Sequence, residues 1–297
     1  WVLDSNYKLE YDFSGLTNAL KGLKASVFAA YNYSNSADSG YDRYYQVYYI
    51  NKTFDEGVAG ASGFTEGGGY TKSASWGDTW LFRPQVDYSR DFDKHHVSAL
   101  FFYEAQKNST NTMTGTKLGY YSDDPVDLTL GTTFPETPVT GSHSYTGQAS
   151  WAGRLNYAYN QKYLAEFAFR YDGSYVFAPE NRWGFFPSVS VGWIMSEENF
   201  FKKALPFIDF FKVRASYGES GNDNVTPYLY NSTFAVANNS MVLGNSAIAQ
   251  FYSKNPYIYR NLTWSTTKSY NLGIDFNLLN QKLAVEFDVF YQLTEDI

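Results

Sequence analysis

The run YDRYYQVYY, residues 41–49, places Tyr41, Tyr44, Tyr45, Tyr48 and Tyr49 close together. Flat rings at that density can stack on sugars or on peptide groups. The same rings can also pack a surface loop against itself, and that is the preferred expectation. Asp123, Asp124 and Asp127 offer the hard oxygen ligands that Ca²⁺ takes. No glycine at the right spacing and no bidentate glutamate accompany them, so a solvated loop is expected. His95 and His96 are adjacent, and neighbours on a strand point to opposite faces, which argues against a shared metal. Covalent chemistry has no better footing. Gly218-Glu219-Ser220-Gly221-Asn222 lacks the last glycine of a nucleophile elbow. Gly-Gly-Gly-Tyr-Thr-Lys-Ser at 67–73 lacks the glycine that precedes the lysine of a phosphate-binding loop, and no His-Glu-x-x-His occurs. Glu286 and Asp288 would suit a glycosidase only at a matched separation with opposed pKa values, and polar lining is the simpler role. No catalytic residue, metal or cofactor is expected.

The segments that must position these residues alternate with period two almost everywhere. Tyr7, Leu9, Tyr11 and Phe13 oppose Asn6, Lys8, Glu10 and Asp12. Near the C-terminus Leu272, Ile274, Phe276 and Leu278 oppose Asn271, Gly273, Asp275 and Asn277; after a turn, Leu283, Val285, Phe287, Val289 and Tyr291 oppose Ala284, Glu286, Asp288 and Phe290. About ten such strands are expected, many longer than the usual five or six residues and long enough for a tilted bilayer crossing. Pro84, inside the 80–88 run, predicts an irregularity. Short connections at 91–94, 160–162 and 280–282 alternate with long polar ones at about 34–75, 107–144 and 221–259. Ser196 to Lys203 predicts a helical turn with Ser196 as its N-cap.

Composition narrows the class. Aromatic residues make up 20% of the 297 residues (Tyr 28, Phe 24, Trp 7) and charged residues only 18%, so something demands aromatic surface. No apolar run reaches the length of a membrane helix, but strands of a membrane barrel need be only half apolar. Cysteine is absent, which removes disulfides and thiolate chemistry. The net charge of −7, with no basic cluster longer than Lys202-Lys203, argues against nucleic acid. Trp1 to Glu10 shows no signal-peptide pattern, and with no initiator Met a trimmed or partial chain is expected. Alternation alone fits both a soluble β protein and a barrel. Aromatic residues near strand ends, both charge signs mixed with small residues on the polar face, and loops long at one end only favour an all-β, antiparallel transmembrane β-barrel. On that assignment a lysine at Phe287 is expected to cost about 2–4 kcal/mol, and one at Asp288 to be tolerated.

One stretch is more specific. RYDGSYVFAPENRWGFFPSVSVGWIMSEENFF, residues 170–201, resembles the barrel of SusC/RagA-type TonB-dependent outer-membrane transporters, through Arg170, Asp172, Trp183, Pro187 and Trp193. FKVRASYGESGND resembles that family's R-x-S-Y-G-x-x-G-N, here Arg214, Ser216, Tyr217, Gly218, Gly221 and Asn222. NLTWSTTKSYNLGIDFNLLNQKL, containing Trp264, follows the family pattern with Ser265 where glutamate is commoner. The matches span roughly 160–297. Structural roles are expected for them: Gly218 and Gly221 at a tight strand exit, Pro187 ending or kinking pairing, Trp183 and Trp193 at the membrane interface, and Arg170 paired with Asp172. The resemblance implies part of a roughly 22-stranded barrel, with the plug and the TonB-contact segment not present in this chain. It further implies import of nutrient oligosaccharides or peptides across a bacterial outer membrane, a SusD-like surface lipoprotein as lid, and drive from the TonB complex. On that basis the tyrosine run could also contact the lid. The alternative is a soluble, aromatic-rich β protein that binds or cleaves glycans.

Overall fold

The computed structural model describes residues 1–42, 48–50, 57–59, 68–120, 127–135, 137–232, 234–243, 246–254 and 257–295. Its strands are β1 (Val2–Asp12), β2 (Leu23–Asp42), β3 (Tyr48–Ile50), β4 (Gly57–Ala59), β5 (Gly69–Phe92), β6 (His95–Leu118) and β7 (Val139–Tyr159). They continue with β8 (Tyr163–Ser174), β9 (Trp183–Ile194), β10 (Ile208–Asn222), β11 (Phe234–Leu243), β12 (Ser246–Lys254), β13 (Ser265–Leu278) and β14 (Leu283–Glu295). One short helix, α1 (Asn199–Ala204), stands between β9 and β10. Ten strands form one sheet in the order β1-β2-β5-β6-β7-β8-β9-β10-β13-β14, an up-and-down meander in which β3-β4 and β11-β12 are separate hairpins. The fold is all-β and antiparallel, and the sheet is open among the described residues, with β1 and β14 at its edges.

Several strands run further than hydropathy predicts. The expected loops at 34–75 and 107–144 begin and end as β-structure, because β2, β5, β6 and β7 reach 20 to 24 residues. The extra length is mostly polar on both faces and carries no alternating apolar signal. Side-chain hydrogen bonds tie it across strands instead: Thr71 to Thr116 at 3.0 Å, Ser73 to Thr114 at 3.1 Å, Thr112 to Ser142 at 2.6 Å, and Asn108 to Thr146 at 2.9 Å. Cross-strand hydroxyl pairs of this kind each contribute a few tenths of a kcal/mol or more. β5 remains a strand through Pro84.

The chain divides into two compact units. The first comprises Trp1–Asn6, Ala30–Trp80 and Lys107–Thr146. Its buried rings are Tyr70 and Tyr120, packed edge-to-face at 5.8 Å. Asp127 caps the turn that follows, accepting from the Thr129 N–H at 3.0 Å and from Lys72 at 3.4 Å. The Thr129 backbone N–H, before the lysine, holds its carboxyl below the usual aspartate value.

The second unit comprises Tyr7–Ala29, Leu81–Gln106 and Gly147–Ile297. Its buried core is small: Val176, Phe177, Phe186 and Trp264, with Tyr175, Val225 and Leu262 around it. The short connections are tight turns with left-handed backbone at Asp93, at Asn160 and Gln161, and at Leu279, Asn280 and Gln281. The β9–β10 connection departs from the expected cap. Ser196 lies in a single 3₁₀ turn, Met195–Glu197, with its hydroxyl buried and without a hydrogen-bond partner among the described residues. Glu198 occupies the N-cap position of α1 without a side-chain cap bond, because its carboxylate is engaged elsewhere.

Candidate functional site

Strand register in the second unit sorts side chains into two chemically opposite faces. Leu155, Phe167, Val189, Tyr217, Tyr270 and Tyr291 form one row across β7, β8, β9, β10, β13 and β14. One residue along, Asn156, Glu166, Ser190, Ser216, Asn271 and Phe290 form the adjacent row on the other face. The apolar face is open: Phe167, Phe185, Val189, Val191, Leu272, Phe287 and Val289 are all exposed. Aromatic rings bracket it. On β8 Tyr163 stacks with Trp193 at 6.3 Å, and Tyr171 stacks with Trp183 at 4.9 Å. Eight residues separate those two tyrosines, which is ~27 Å along a strand, or ~20 Å of height at a barrel strand's tilt. That is close to the apolar band of a transmembrane barrel.

The opposite face carries charge, part of it held in ion pairs between neighbouring side chains. Arg214 on β10 bonds Asp275 at 3.1 Å on β13 and Asp288 at 2.7 Å on β14. The guanidinium reaches β14 by lying over Gly273, where a Cβ would sit 2.6 Å from Arg214 Cζ and 2.7 Å from Asp288 Oδ1. Any larger residue at 273 blocks the crossing. Arg170 pairs with Asp172 at 2.9 Å and donates to Ser150 at 3.1 Å. Lys268 also pairs with Glu295, at 2.7 Å, but by register these two stand on the face of Tyr270 and Tyr291, near the start of β13 and the end of β14. A cavity of about 390 Å³ lies in the polar face, floored by Ser190, Gly192 and Ser216 and bordered by Glu166, Lys212, Arg214 and Asn271. Such a wall can hold hydrogen-bonding groups in water. Among the described residues no group of three His, Cys, Asp or Glu could hold a metal ion.

The motif residues form supports around this wall. Trp264 is buried against Phe177 and Phe186, each at 5.3 Å, and its indole N–H donates to the Arg182 carbonyl at 2.9 Å. Gly221 lies within β10 in extended conformation, not at a tight exit. It must be small because the Phe186 ring occupies the space a Cβ would take. Gly218 also lies within β10 and has only ordinary contact with Ser188. Asn222 accepts the Asn224 N–H at 2.9 Å, and Asp223 accepts from Ser174 at 2.7 Å and Gln148 at 3.2 Å. The Tyr217 hydroxyl donates to Glu219. Pro187 pairs with Phe169 on β8, and the β9–β10 ladder starts one residue later at Ser188. Burial holds the Tyr175 hydroxyl, beside this core, above the usual tyrosine value.

Glu198 was not singled out by the sequence, yet it joins three elements. Its carboxylate accepts from the Tyr163 hydroxyl at 2.8 Å, the Trp193 indole at 3.5 Å and Lys162 at 3.4 Å. The Tyr163 hydrogen bond, then the indole and the lysine, keep its pKa below the ordinary glutamate value.

The other sequence candidates do not converge. Tyr41 packs edge-on to Tyr120 at 6.2 Å, Tyr48 and Tyr49 lie in β3 opposite Ala59 and Val58, and Tyr44 and Tyr45 fall outside the described residues. Asp123 and Asp124 also fall outside them, leaving Asp127 as a turn cap. His95 contacts the Tyr157 hydroxyl and His96 contacts Asp91, each at 2.7 Å, so the two rings have separate partners.

A long-stranded antiparallel meander with an open apolar face, aromatic rows and an ion-paired polar face is the wall of a membrane-type β-barrel. Comparison with known proteins gives the particular family. A family model described as TonB dependent receptor-like, beta-barrel, matches residues 3–297, and the chain belongs to that family. TonB-dependent receptor P26 of Formosa agariphila is 32% identical over 221 residues, covering 73% of this chain and 22% of that protein. TonB-dependent receptor SusC of Bacteroides thetaiotaomicron is 34% identical over 149 residues, covering 50% of this chain and 15% of that protein. The chain therefore spans about a fifth of the length of the first of these relatives. Among solved structures, the RagAB peptide importer in its closed-closed state superposes with TM-score 0.77 at 20% identity, covering 100% of this chain and 31% of that one. The RagAB peptide transporter superposes with TM-score 0.76 at 22% identity, covering 93% and 29%. The expected fold class and the SusC/RagA-type resemblance both hold.

Proposed function

We propose that these residues are part of the barrel wall of a TonB-dependent importer that carries nutrient oligosaccharides or peptides across the bacterial outer membrane, with no bond made or broken. The apolar face meets lipid and the ion-paired face lines the lumen. A SusD-like surface lipoprotein closes over the extracellular mouth, and the TonB complex supplies the drive by displacing a plug. The observation that carries this is the division of one sheet into an exposed, largely apolar face and a polar face crossed by ion pairs between strands. A soluble sheet would cover its apolar face. Likeness to TonB-dependent receptors, one of them named SusC, supports the import reading, and the two substrate classes are those that the SusC/RagA-type resemblance implies.

The test is a clean deletion of the gene in its host, followed by growth on single oligosaccharides and on peptide mixtures as sole carbon source, with alkaline-washed outer membranes probed for the protein. Loss of growth on one class, restored by the gene, and retention in the washed membrane are the expected results. Release of the protein by the wash, or growth unaffected on every substrate, overturns the proposal.

A further inference from the structure

We propose that the short-connection end of the second unit binds the phosphate headgroups of anionic phospholipid, an inference that rests on the barrel assignment above. The connections there are residues 13–22, 93–94, 160–162, 195–207 and 279–282. They carry six lysines, Lys21, Lys94, Lys162, Lys202, Lys203 and Lys282, against three carboxylates, Asp93, Glu197 and Glu198. This is a positive rim on a chain whose net charge is −7. Two of the lysines are already paired, Lys162 with Glu198 at 3.4 Å and Lys202 with Glu197 at 2.8 Å. Lys21, Lys94, Lys203 and Lys282 have no ion pair among the described residues. Acids at the flanking strand ends are otherwise engaged: Asp12 with Lys24, Asp91 with His96, and Asp209 with the Gln281 N–H.

The connections also touch, so their charges share one rim. The Asn160 N–H donates to the Lys94 carbonyl at 2.6 Å, the Ile194 N–H to the Lys162 carbonyl at 2.8 Å, and Arg90 to the Asn18 carbonyl at 3.0 Å. Exposed apolar residues recur close in sequence to the cations: Leu16 before Lys21, Phe92 before Lys94, Phe200 and Phe207 on either side of Lys203, and Leu279 before Lys282. Phe207 and Leu279 are 65% and 66% exposed, too open to be core. Phe200 lies 6.3 Å from Trp193, so this rim continues directly from the aromatic row that borders the apolar face. An apolar side chain entering the acyl boundary while a neighbouring lysine reaches up to phosphate is the chemistry of a bilayer surface. A folded protein partner would meet one patch. Repetition of the same pairing at connection after connection fits a surface that surrounds the barrel.

The test uses phospholipids spin-labelled near the acyl terminus, with the protein purified from outer membranes and reconstituted in bilayers. Electron spin resonance resolves the lipid held at the protein surface from bulk lipid. Wild type is expected to favour labelled phosphatidylglycerol over phosphatidylcholine about fivefold, the factor given by about 1 kcal/mol per lysine at a headgroup. Raised salt should shrink that ratio. The quadruple variant Lys21→Gln, Lys94→Gln, Lys203→Gln, Lys282→Gln should bring it near one while holding the same amount of phosphatidylcholine, which shows that the barrel is intact. A ratio near one in wild type, or one unchanged by the variant, overturns the inference and leaves the barrel assignment standing. No held lipid of either kind overturns both.

Discussion

Residues 287 and 288 offer the sharpest test of which face meets lipid, because they are neighbours on β14 with opposite surroundings. Phe287 sits across from Ile274 and is 61% exposed on the apolar face. Asp288 sits across from Gly273 and holds Arg214 at 2.7 Å. Phe287→Lys would put a cation into hydrocarbon, at a cost of about 2–4 kcal/mol near mid-depth. Asp288→Asn removes one of two carboxylates from a half-exposed arginine that keeps Asp275, and should cost no more than about 1 kcal/mol. The gap between the variants is then at least about fivefold in the folding equilibrium. Lysine at 288, which the sequence suggests would be tolerated, is a poor control. It would face the Arg214 guanidinium, where like charges 4 Å apart repel by up to about 4 kcal/mol before they swing into water. Urea titration of the protein in lipid vesicles, followed by the heat-dependent gel mobility of folded barrels, reads both costs. If Asp288→Asn destabilises as much as Phe287→Lys, the face assignment is wrong.

Three further outcomes are expected. Gly273→Ala should displace Arg214 from Asp288 and destabilise by about 1–3 kcal/mol, and in the Arg214→Met background the added methyl should be nearly neutral in the same titration. Gly221→Ala should drive the Phe186 ring against Trp264 at a similar cost of about 1–3 kcal/mol, partly relieved by Phe186→Leu, with near-ultraviolet circular dichroism following the Trp264 environment. Glu198 has a folded pKa below its ordinary value of 4.5. Its stabilising contribution is therefore complete above that value and is lost as pH falls through the lower folded value. Glu198→Gln should lower stability at neutral pH and flatten the acid limb below about pH 4.5, so that variant and wild type converge as pH falls, as read by unfolding midpoints across pH.

Much of the sheet was legible because burial on one side imprints period two. The hairpin of β13 and β14 pairs as the alternation requires, with Leu272 opposite Val289 and Gly273 opposite Asp288. The polar extensions of β5 and β6 were not legible, since Ser and Thr on both faces resemble loop composition and their support comes from cross-strand hydroxyl pairs. Arg214 appeared only as part of a motif. Its reach over Gly273 depends on three strands that are separate in sequence. Glu198 was hidden for the same reason, because Lys162, Tyr163 and Trp193 come from the two strand ends beside it. Gly221 looked like a turn residue because glycine near a strand end usually is one; here the limit is a ring on the adjacent strand.

The crossing of Arg214 over Gly273 also bears on traffic. A bare arginine on this face could grip the carboxylate of a passing solute with a charge-assisted bond worth up to about 3 kcal/mol, which would slow its departure about a hundredfold. With both sides of the guanidinium already held by Asp275 and Asp288, one cation against two carboxylates, the surface offers no free cation to an anionic solute. On the proposed import function, an anionic solute would find no grip here and would move on to its next contact without lingering. If the proposed import function holds, the wall at this level favours short dwell times for anionic solutes.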